Sequence, residues 1–206
     1  MIKFELPLST IRAVLPTIPK KDVRFSLVGA LFDLDAGRIV ATDGHRMIVC
    51  DGPRIANGGR HIVPRDALAA IAKSKFDIVT LSFSDRAVNG TATFQLQADT
   101  TTLSGVTVDG TFPEYHRVIP RQFTQQIAQY NADYLADAQA ALAEYFGIRR
   151  NISPRMEHNG PAAGIMHVNK PGCFVVIMPQ RTDDRMDRDM AAFIGCVTDT
   201  LTAAAA

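Results

Sequence analysis

A recurring order of short elements is the feature that most constrains the fold of this chain. Three times, starting near Met1, His61 and Ile127, an extended apolar stretch precedes a helical pattern, and further extended stretches follow it. A helix buries one stripe and a strand buries one face, so each unit would pack its helix against its strands. The pattern predicts an α+β fold made of repeated β-α-β-β-β units, although the identity between the units is too low to establish a repeat unaided.

The first unit has clear signals for its helix. Ser9 can cap a short helix, and Pro16 is expected to end or kink it because proline lacks the amide hydrogen of the helical ladder. Alternating apolar residues then predict a half-buried strand that carries Val23, Phe25 and Leu27.

Turn and cap residues punctuate the rest of the chain. Asp43-Gly44 and Asn89-Gly90 are dipeptides favoured in hairpin turns. In the third unit, Asn131 or Asp133 can cap a helix, and Gly147 suits its C-terminal end. The buried stripe of this helix is predicted to comprise Leu135, Ala138, Leu142 and Tyr145.

Composition excludes some classes of protein but names no function. The formal net charge of +1 gives no warrant for nucleic-acid binding. No apolar run is long enough to cross a bilayer, so no membrane partner is expected, and the N-terminus lacks the apolar core of a signal peptide. Three widely spaced cysteines, Cys50, Cys173 and Cys196, are interpreted as reduced thiols of a cytoplasmic protein.

The sequence does not show a catalytic constellation. His45 beside Asp43 could form an acid-base pair, but a turn aspartate and a hydrogen-bonded histidine explain the same residues. No nucleophile motif, phosphate-binding glycine loop or metal-ligand spacing is present. We therefore expect no enzyme activity, no cofactor and no metal.

Three short motifs carry a resemblance to a known family. They are ATDGHRM at 41–47, DGTFPEYHRVIP at 109–120 and VVIMPQR at 175–181. In this order they resemble the bacterial DNA polymerase III beta subunit, the beta sliding clamp. Further matches are Ile62-Val63-Pro64-Arg65 and Tyr130-Asn131-Ala132-Asp133-Tyr134-Leu135.

The resemblance implies a sliding-clamp fold, in which helices line a DNA-sized hole on one face and sheets lie on the other. Residues 1–120 resemble the complete central domain of the family, with two units, and residues 121–182 resemble the second half of its last domain, with one unit. The first domain of the family and the first half of its last domain have no counterpart here. Residues 183–206 match nothing in the family.

The resemblance also implies an apolar pocket that binds short linear motifs of polymerases, the clamp loader and repair proteins. Its apolar members would hold an apolar anchor, while Arg46 and Arg117 would hold carbonyls or carboxylates of the peptide at the edge. Gln180 stands where the family usually has methionine, which makes that wall more polar. The positions carried over are Leu27, Thr42, Gly44, His45, Arg46, Met47, Pro113, Arg117, Val118, Val176, Met178, Pro179 and Gln180.

Basic side chains on or beside the helices would face duplex DNA in such a ring. Taken alone, they indicate only a solvated surface. Contacts of this kind to phosphate ignore base sequence, depend on salt and allow sliding. The predicted DNA-facing residues are Arg12, Lys20, Lys21, Arg65, Lys73, Lys75, Arg149 and Arg150.

These expectations favour a processivity factor, a sliding clamp that encircles DNA and tethers replication proteins by their peptide motifs. The alternative is a clamp-like adaptor or competitor that uses the same pocket without forming a closed ring. The implied ring contains twelve units, so three units per chain would need four chains. Pairing of two C-terminal halves would give a dimer, and two dimers could close as a tetramer.

The C-terminal extension, residues 183–206, leaves three interpretations open. Its apolar residues repeat at helical spacing, and Asp183 and Asp184 suit a helix start. It could pack on its own half domain, replace the missing half domain in assembly, or block the peptide pocket. The repeating apolar residues are Met186, Met190, Phe193, Ile194, Val197 and Leu201.

Overall fold

Three α-helices and eleven strands make up the described part of the chain, which in this computed structural model comprises residues 1–84, 91–148 and 152–181. The helices are α1 (Leu8–Val14), α2 (Arg65–Ile71) and α3 (Ala132–Phe146). Short 3₁₀ turns cover Leu15–Thr17, Phe25–Leu27 and Tyr115–Arg117. The strands are β1 (Ile2–Pro7), β2 (Gly29–Asp33), β3 (Arg38–Thr42), β4 (Arg46–Asp51), β5 (Arg60–Pro64), β6 (Ile78–Phe83), β7 (Thr93–Ala98), β8 (Thr101–Val106), β9 (Arg155–Glu157), β10 (Gly164–His167) and β11 (Cys173–Ile177).

The strands form two antiparallel sheets, ordered β1-β6-β7-β8 and β5-β2-β3-β4-β11-β10-β9. The leading strand of each of the first two units pairs in the sheet of the other unit: β1 pairs with β6, and β5 pairs with β2. This reciprocal exchange holds the two units together as one domain. The third unit joins the seven-stranded sheet where β11 pairs with β4, so the sheet continues across the boundary expected at residue 120.

The seven-stranded sheet is buried on both faces because its strands alternate between two cores. One face packs on the helices through residues such as Phe32, Ile48 and Val175. The other face lies under the segment that follows β8, where Phe112 and Tyr115 cover it. The side chains of this second face include Leu31, Val40, Met47, Val49, Ile62 and Val176.

Several local predictions are confirmed. Asn131 caps α3, because its side-chain oxygen accepts a hydrogen bond of 2.9 Å from the Asp133 amide. Gly147 ends α3 at φ 64°, a left-handed conformation that glycine adopts without strain. Asp43-Gly44 joins β3 to β4 as expected. The second hairpin signal, Asn89-Gly90, lies outside the described residues.

Two local predictions are wrong. Ser9 does not cap α1: the helix begins at Leu8, directly after β1, since Pro7 still pairs with Ile78. The expected strand through Val23, Phe25 and Leu27 is absent. Val23 lies in a bend and Phe25 begins a 3₁₀ turn, and these two side chains are 91% and 75% exposed. Hydrogen bonds from the amide and guanidinium of Arg24 to Asp22 hold this segment in a local turn.

The third unit lacks the leading strand that the sequence suggested near Ile127. The described segment before α3 contains no strand, and Ile127 is 80% exposed. The topology explains this: β1 and β5 each pair with the first strand after the helix of a neighbouring unit, and the described chain offers the third unit no such neighbour.

Two cysteines meet across β4 and β11. The Sγ atoms of Cys50 and Cys173 lie 3.3 Å apart as free thiols, and burial raises the pKa of Cys50 well above its usual value. Cys196 lies outside the described residues. Within the described ranges, no helix has the length and apolar character needed to span a membrane.

Candidate functional site

A cavity of about 220 Å³ opens at the end of the β3–β4 hairpin, on the sheet face opposite the helices. It collects residues from all three motifs of the sequence, which the fold brings together from distant parts of the chain. Of the predicted pocket residues, those that line the cavity are Leu27, Thr42, Gly44, His45, Arg46, Met47, Pro113, Val118, Val176 and Met178.

The cavity has a rigid apolar floor and an accessible apolar rim. Met47 and Val176 are opposite each other in the β4–β11 ladder and are 4% and 2% exposed, and Leu27 beside them is 1% exposed. At the rim, Val118 and Met178 are 48% and 41% exposed. Such a cleft can accept one apolar side chain from a partner, and burial of a leucine-sized side chain is worth about 1.5–3 kcal/mol.

The β3–β4 hairpin is held in place by its own sequence. The Thr42 hydroxyl donates to Arg46 O at 2.8 Å and accepts from the Gly44 amide at 3.0 Å. One Asp43 carboxylate oxygen accepts from the amides of His45 and Arg46, each at 2.9 Å. His45 O in turn accepts from the Met178 amide at 2.9 Å, which attaches the end of β11 to the hairpin.

These contacts decide between the two interpretations of His45 and Asp43. The Asp43 carboxylate serves backbone amides and the Arg46 guanidinium, and the His45 ring stacks on Tyr134 at a centroid distance of 6.0 Å. The residues therefore form a structural turn in this conformation and do not form an acid-base pair.

Arg46 has a structural role that the sequence did not predict. Its Nε donates to Asp43 at 3.1 Å, and its terminal nitrogens donate to Asp137 at 2.5 Å and to Pro16 O at 3.0 Å. The guanidinium also lies 4.8 Å from the centre of the Tyr134 ring, and the side chain is 9% exposed. These bonds use three of the five N–H donors of the guanidinium and fasten the hairpin to α3 and to the turn after α1. A contact from Arg46 to peptide carbonyls at the edge stays a prediction.

Three residues that the sequence did not indicate also line the cavity: Arg24, Glu114 and Tyr115. Arg24 forms a two-point ion pair with Asp22, and these hydrogen bonds lower the pKa of Asp22 to about 2. The sequence pattern predicts a strand over Val23, Phe25 and Leu27, and this prediction left no place for Arg24 at the rim of a cavity.

Tyr115 fixes the turn that carries Pro113 and Val118 to the sheet. Its hydroxyl donates to Asp33 at 3.2 Å. Burial, reinforced by the charge of Asp33, raises the pKa of Tyr115 to about 12, so the phenol stays a hydrogen-bond donor at neutral pH. The motif at 109–120 contains this tyrosine, but nothing in its spacing pointed to Asp33.

The remaining predicted pocket residues lie elsewhere. Pro179 and Gln180 line a separate depression beside Gln126 and Ile127, and Arg117 is exposed without lining the cavity. The direction of the chain explains this separation, since Gln180 donates to Gln129 O at 2.8 Å and leaves the rim that Met178 forms.

The predicted DNA-facing residues divide into two groups. Lys20, Lys21, Lys73 and Lys75 are exposed. Arg12 donates to Ala72 O and Ser74 O at 3.0 and 2.6 Å, and Arg65 donates to Ile18 O at 3.1 Å, so both are partly buried braces around α1 and α2. Arg149 and Arg150 lie outside the described residues. A role for any of them at DNA stays a prediction.

Comparisons with known proteins show which proteins this chain is similar to. No protein-family model matches the chain. The chain is 31% identical to the beta sliding clamp of Haemophilus influenzae over 145 residues, which cover 66% of this chain and 38% of that protein. It is 32% identical to the beta sliding clamp of Pseudomonas aeruginosa over 149 residues, with 65% and 38% coverage.

Solved structures show the same fold. The DNA polymerase III beta subunit of Pseudomonas aeruginosa matches with a TM-score of 0.66 and 20% identity, over 88% of this chain and 67% of that one. The beta clamp of Helicobacter pylori bound to a DNA ligase peptide matches with a TM-score of 0.68 and 13% identity, over 87% and 66%. The predicted sliding-clamp fold is confirmed. In sequence, however, the matched regions span only 38–44% of the curated relatives.

Proposed function

Because this chain is related to the bacterial beta sliding clamps and shares their fold, we propose that it is a clamp-like, non-enzymatic replication protein. Its cavity would bind linear peptide motifs of replication proteins, as the Helicobacter pylori clamp binds a DNA ligase peptide. The convergence of the three sequence motifs on one apolar cavity is the observation that supports this most. A cytoplasmic location belongs to the same proposal.

Peptide binding is tested by a charge at the rim. A fluorescently labelled DNA ligase peptide of the kind seen on the Helicobacter pylori clamp serves as the probe in an anisotropy titration. Val118→Asp is expected to weaken binding at least tenfold, because a carboxylate at the apolar rim must lose water when an apolar anchor enters. Val118 is 48% exposed, so the fold should tolerate the change.

Val106→Asp is the matched control. Val106 is 54% exposed on β8, in the other sheet, and it does not line the cavity. The affinity of the Val106→Asp variant for the probe should equal that of the unmodified protein. Equal affinities of the two variants would show that the cavity is not the binding site.

Encirclement of DNA is the finer part of the proposal. The exposed lysines on the helical side, Lys20, Lys21, Lys73 and Lys75, would make loose contacts to phosphate that permit sliding. Retention on nicked circular DNA, with loss on linear DNA of the same sequence, would support a closed ring. Peptide binding without such retention would favour the adaptor function. One observation supports the adaptor: Arg12 and Arg65 form hydrogen bonds within the chain, which leaves fewer free cations for DNA.

The third unit lacks a leading strand, and association with another chain would have to supply it. The seven-stranded sheet ends at β9, and no described strand pairs with its outer edge. Open edges of this kind favour pairing with another chain. We propose that the third units of two copies complete each other in the way the first two units do within one chain, giving a dimer and, through two dimers, a tetramer. Light scattering that gives a stable monomer at micromolar concentration would contradict this.

A further inference from the structure

Exposed apolar side chains extend from the rim of the cavity onto the surrounding surface. Val118 and Met178 are about half exposed at the rim, and Val23 and Phe25, on either side of the rim residue Arg24, are 91% and 75% exposed. Exposed apolar groups that gather around a cleft mark a binding surface more often than isolated ones do.

The chain brings its own C-terminal segment to this place. Met178 lines the cavity, and Arg181, three residues later, is the last described residue. Three residues span at most about 10 Å. Arg181 lines the neighbouring depression with Pro179 and Gln180. The segment 182–206 therefore starts within about 10 Å of Met178 but on the far side of the rim. Twelve residues in a helix would reach about 18 Å, enough to return over the cleft.

The sequence of this segment fits such a cleft. Its apolar residues, from Met186 to Leu201, follow one helical stripe, the pattern by which helices anchor in apolar grooves. Its charges are five aspartates against two arginines, a net charge of −3. At the cavity Arg24 is paired with Asp22 and Glu114 is paired with Arg60. The positive charge that would favour docking is therefore that of the exposed Arg117 beside the rim.

We propose that residues 182–206 dock into the cavity of their own chain through this apolar stripe. The inference rests on the proposed function of the cavity, because a replication peptide would then have to displace the segment. A tethered competitor acts at an effective concentration in the millimolar range. The apparent affinity for an external peptide falls in proportion to the fraction of molecules with an open cavity.

Two adjacent substitutions in the full chain test this. On a helical wheel Phe193 belongs to the apolar stripe and Ala192 lies on the opposite side. Phe193→Asp is expected to release the segment and raise affinity for the labelled DNA ligase peptide about tenfold, the change for a cavity open about a tenth of the time. Ala192→Asp adds the same charge and should leave the affinity unchanged.

Amide hydrogen exchange of the segments 42–47 and 113–118 separates the two proposals. Faster exchange there in Phe193→Asp, and not in Ala192→Asp, supports docking whether or not the probe binds. If the unmodified protein, Phe193→Asp and Ala192→Asp have equal exchange rates and equal affinities for the probe, the docking proposal is overturned. If the exchange differs but none of the proteins binds the probe, the docking proposal is kept and peptide binding fails. An affinity gain that depends on protein concentration would mean exchange between chains and would overturn docking in cis.

Discussion

Replacement of Phe83 by alanine is expected to lower the free energy of unfolding by about 3–5 kcal/mol, the range for a large aromatic side chain removed from a core. Phe83 is fully buried near the end of β6, in the four-stranded sheet. Its ring stacks on His61 at 4.1 Å between centroids and lies 6.2 Å from Phe32, and both partners belong to the seven-stranded sheet. Phe83 therefore joins the two sheets, and the cavity left by alanine would weaken that junction.

Urea unfolding followed by circular dichroism measures the loss, and Phe76→Ala is the matched control. Phe76 is 50% exposed and does not line the cavity, so the same substitution should change the free energy of unfolding by no more than about 1 kcal/mol. Should Phe83→Ala fail to fold, Phe83→Leu, which keeps most of the volume, is expected to lose about 1–1.5 kcal/mol. A loss below about 1 kcal/mol for Phe83→Ala would show that the two sheets do not depend on this contact.

Most of the cavity residues were predicted through the family resemblance, which three short motifs carry, whereas the turns and caps around them follow from local sequence. The turn at Asp43-Gly44 is set by hydrogen bonds within the motif itself, and the α3 caps at Asn131 and Gly147 are equally local. The apolar residues of β4 and β11 were assigned to the pocket by the family resemblance, because both strands carry unbroken apolar runs and show no alternation. Features that depend only on neighbouring residues are readable from a single chain.

Features that depend on distant partners were missed for the opposite reason. The contacts that make Arg46 a brace were missed because nothing near it in sequence reveals Asp137 or the carbonyl of Pro16. Val23 and Phe25 alternate as a strand would, but the local ion pair of Arg24 overrides that pattern. Likewise, a leading strand for the third unit requires a partner unit, and strand propensity cannot report whether one exists.

Replacement of Arg46 by alanine is expected to lower the free energy of unfolding by about 2–3 kcal/mol, because charge-assisted hydrogen bonds of a nearly buried group are lost together. The guanidinium joins Asp43 in the hairpin, Pro16 O after α1 and Asp137 on α3. Asp137 is 49% exposed and Pro16 is exposed, so both can return to water, and most of the cost should come from Asp43, whose side chain is 18% exposed. The hairpin would also lose its position, and affinity for the peptide probe is expected to fall about tenfold.

Arg24→Ala is the matched control for this change, since Arg24 lines the same cavity but is 55% exposed in its pair with Asp22. Its effect on the free energy of unfolding should stay below about 1 kcal/mol and should vanish in high salt, whereas the loss for Arg46→Ala should persist. Arg46→Lys should fall between the unmodified protein and Arg46→Ala, because one ammonium cannot reach three acceptors set by a planar fork. If chemical unfolding gives Arg46→Ala and Arg24→Ala the same stability, Arg46 does not brace the cavity against α3, and its assignment as a structural residue is wrong.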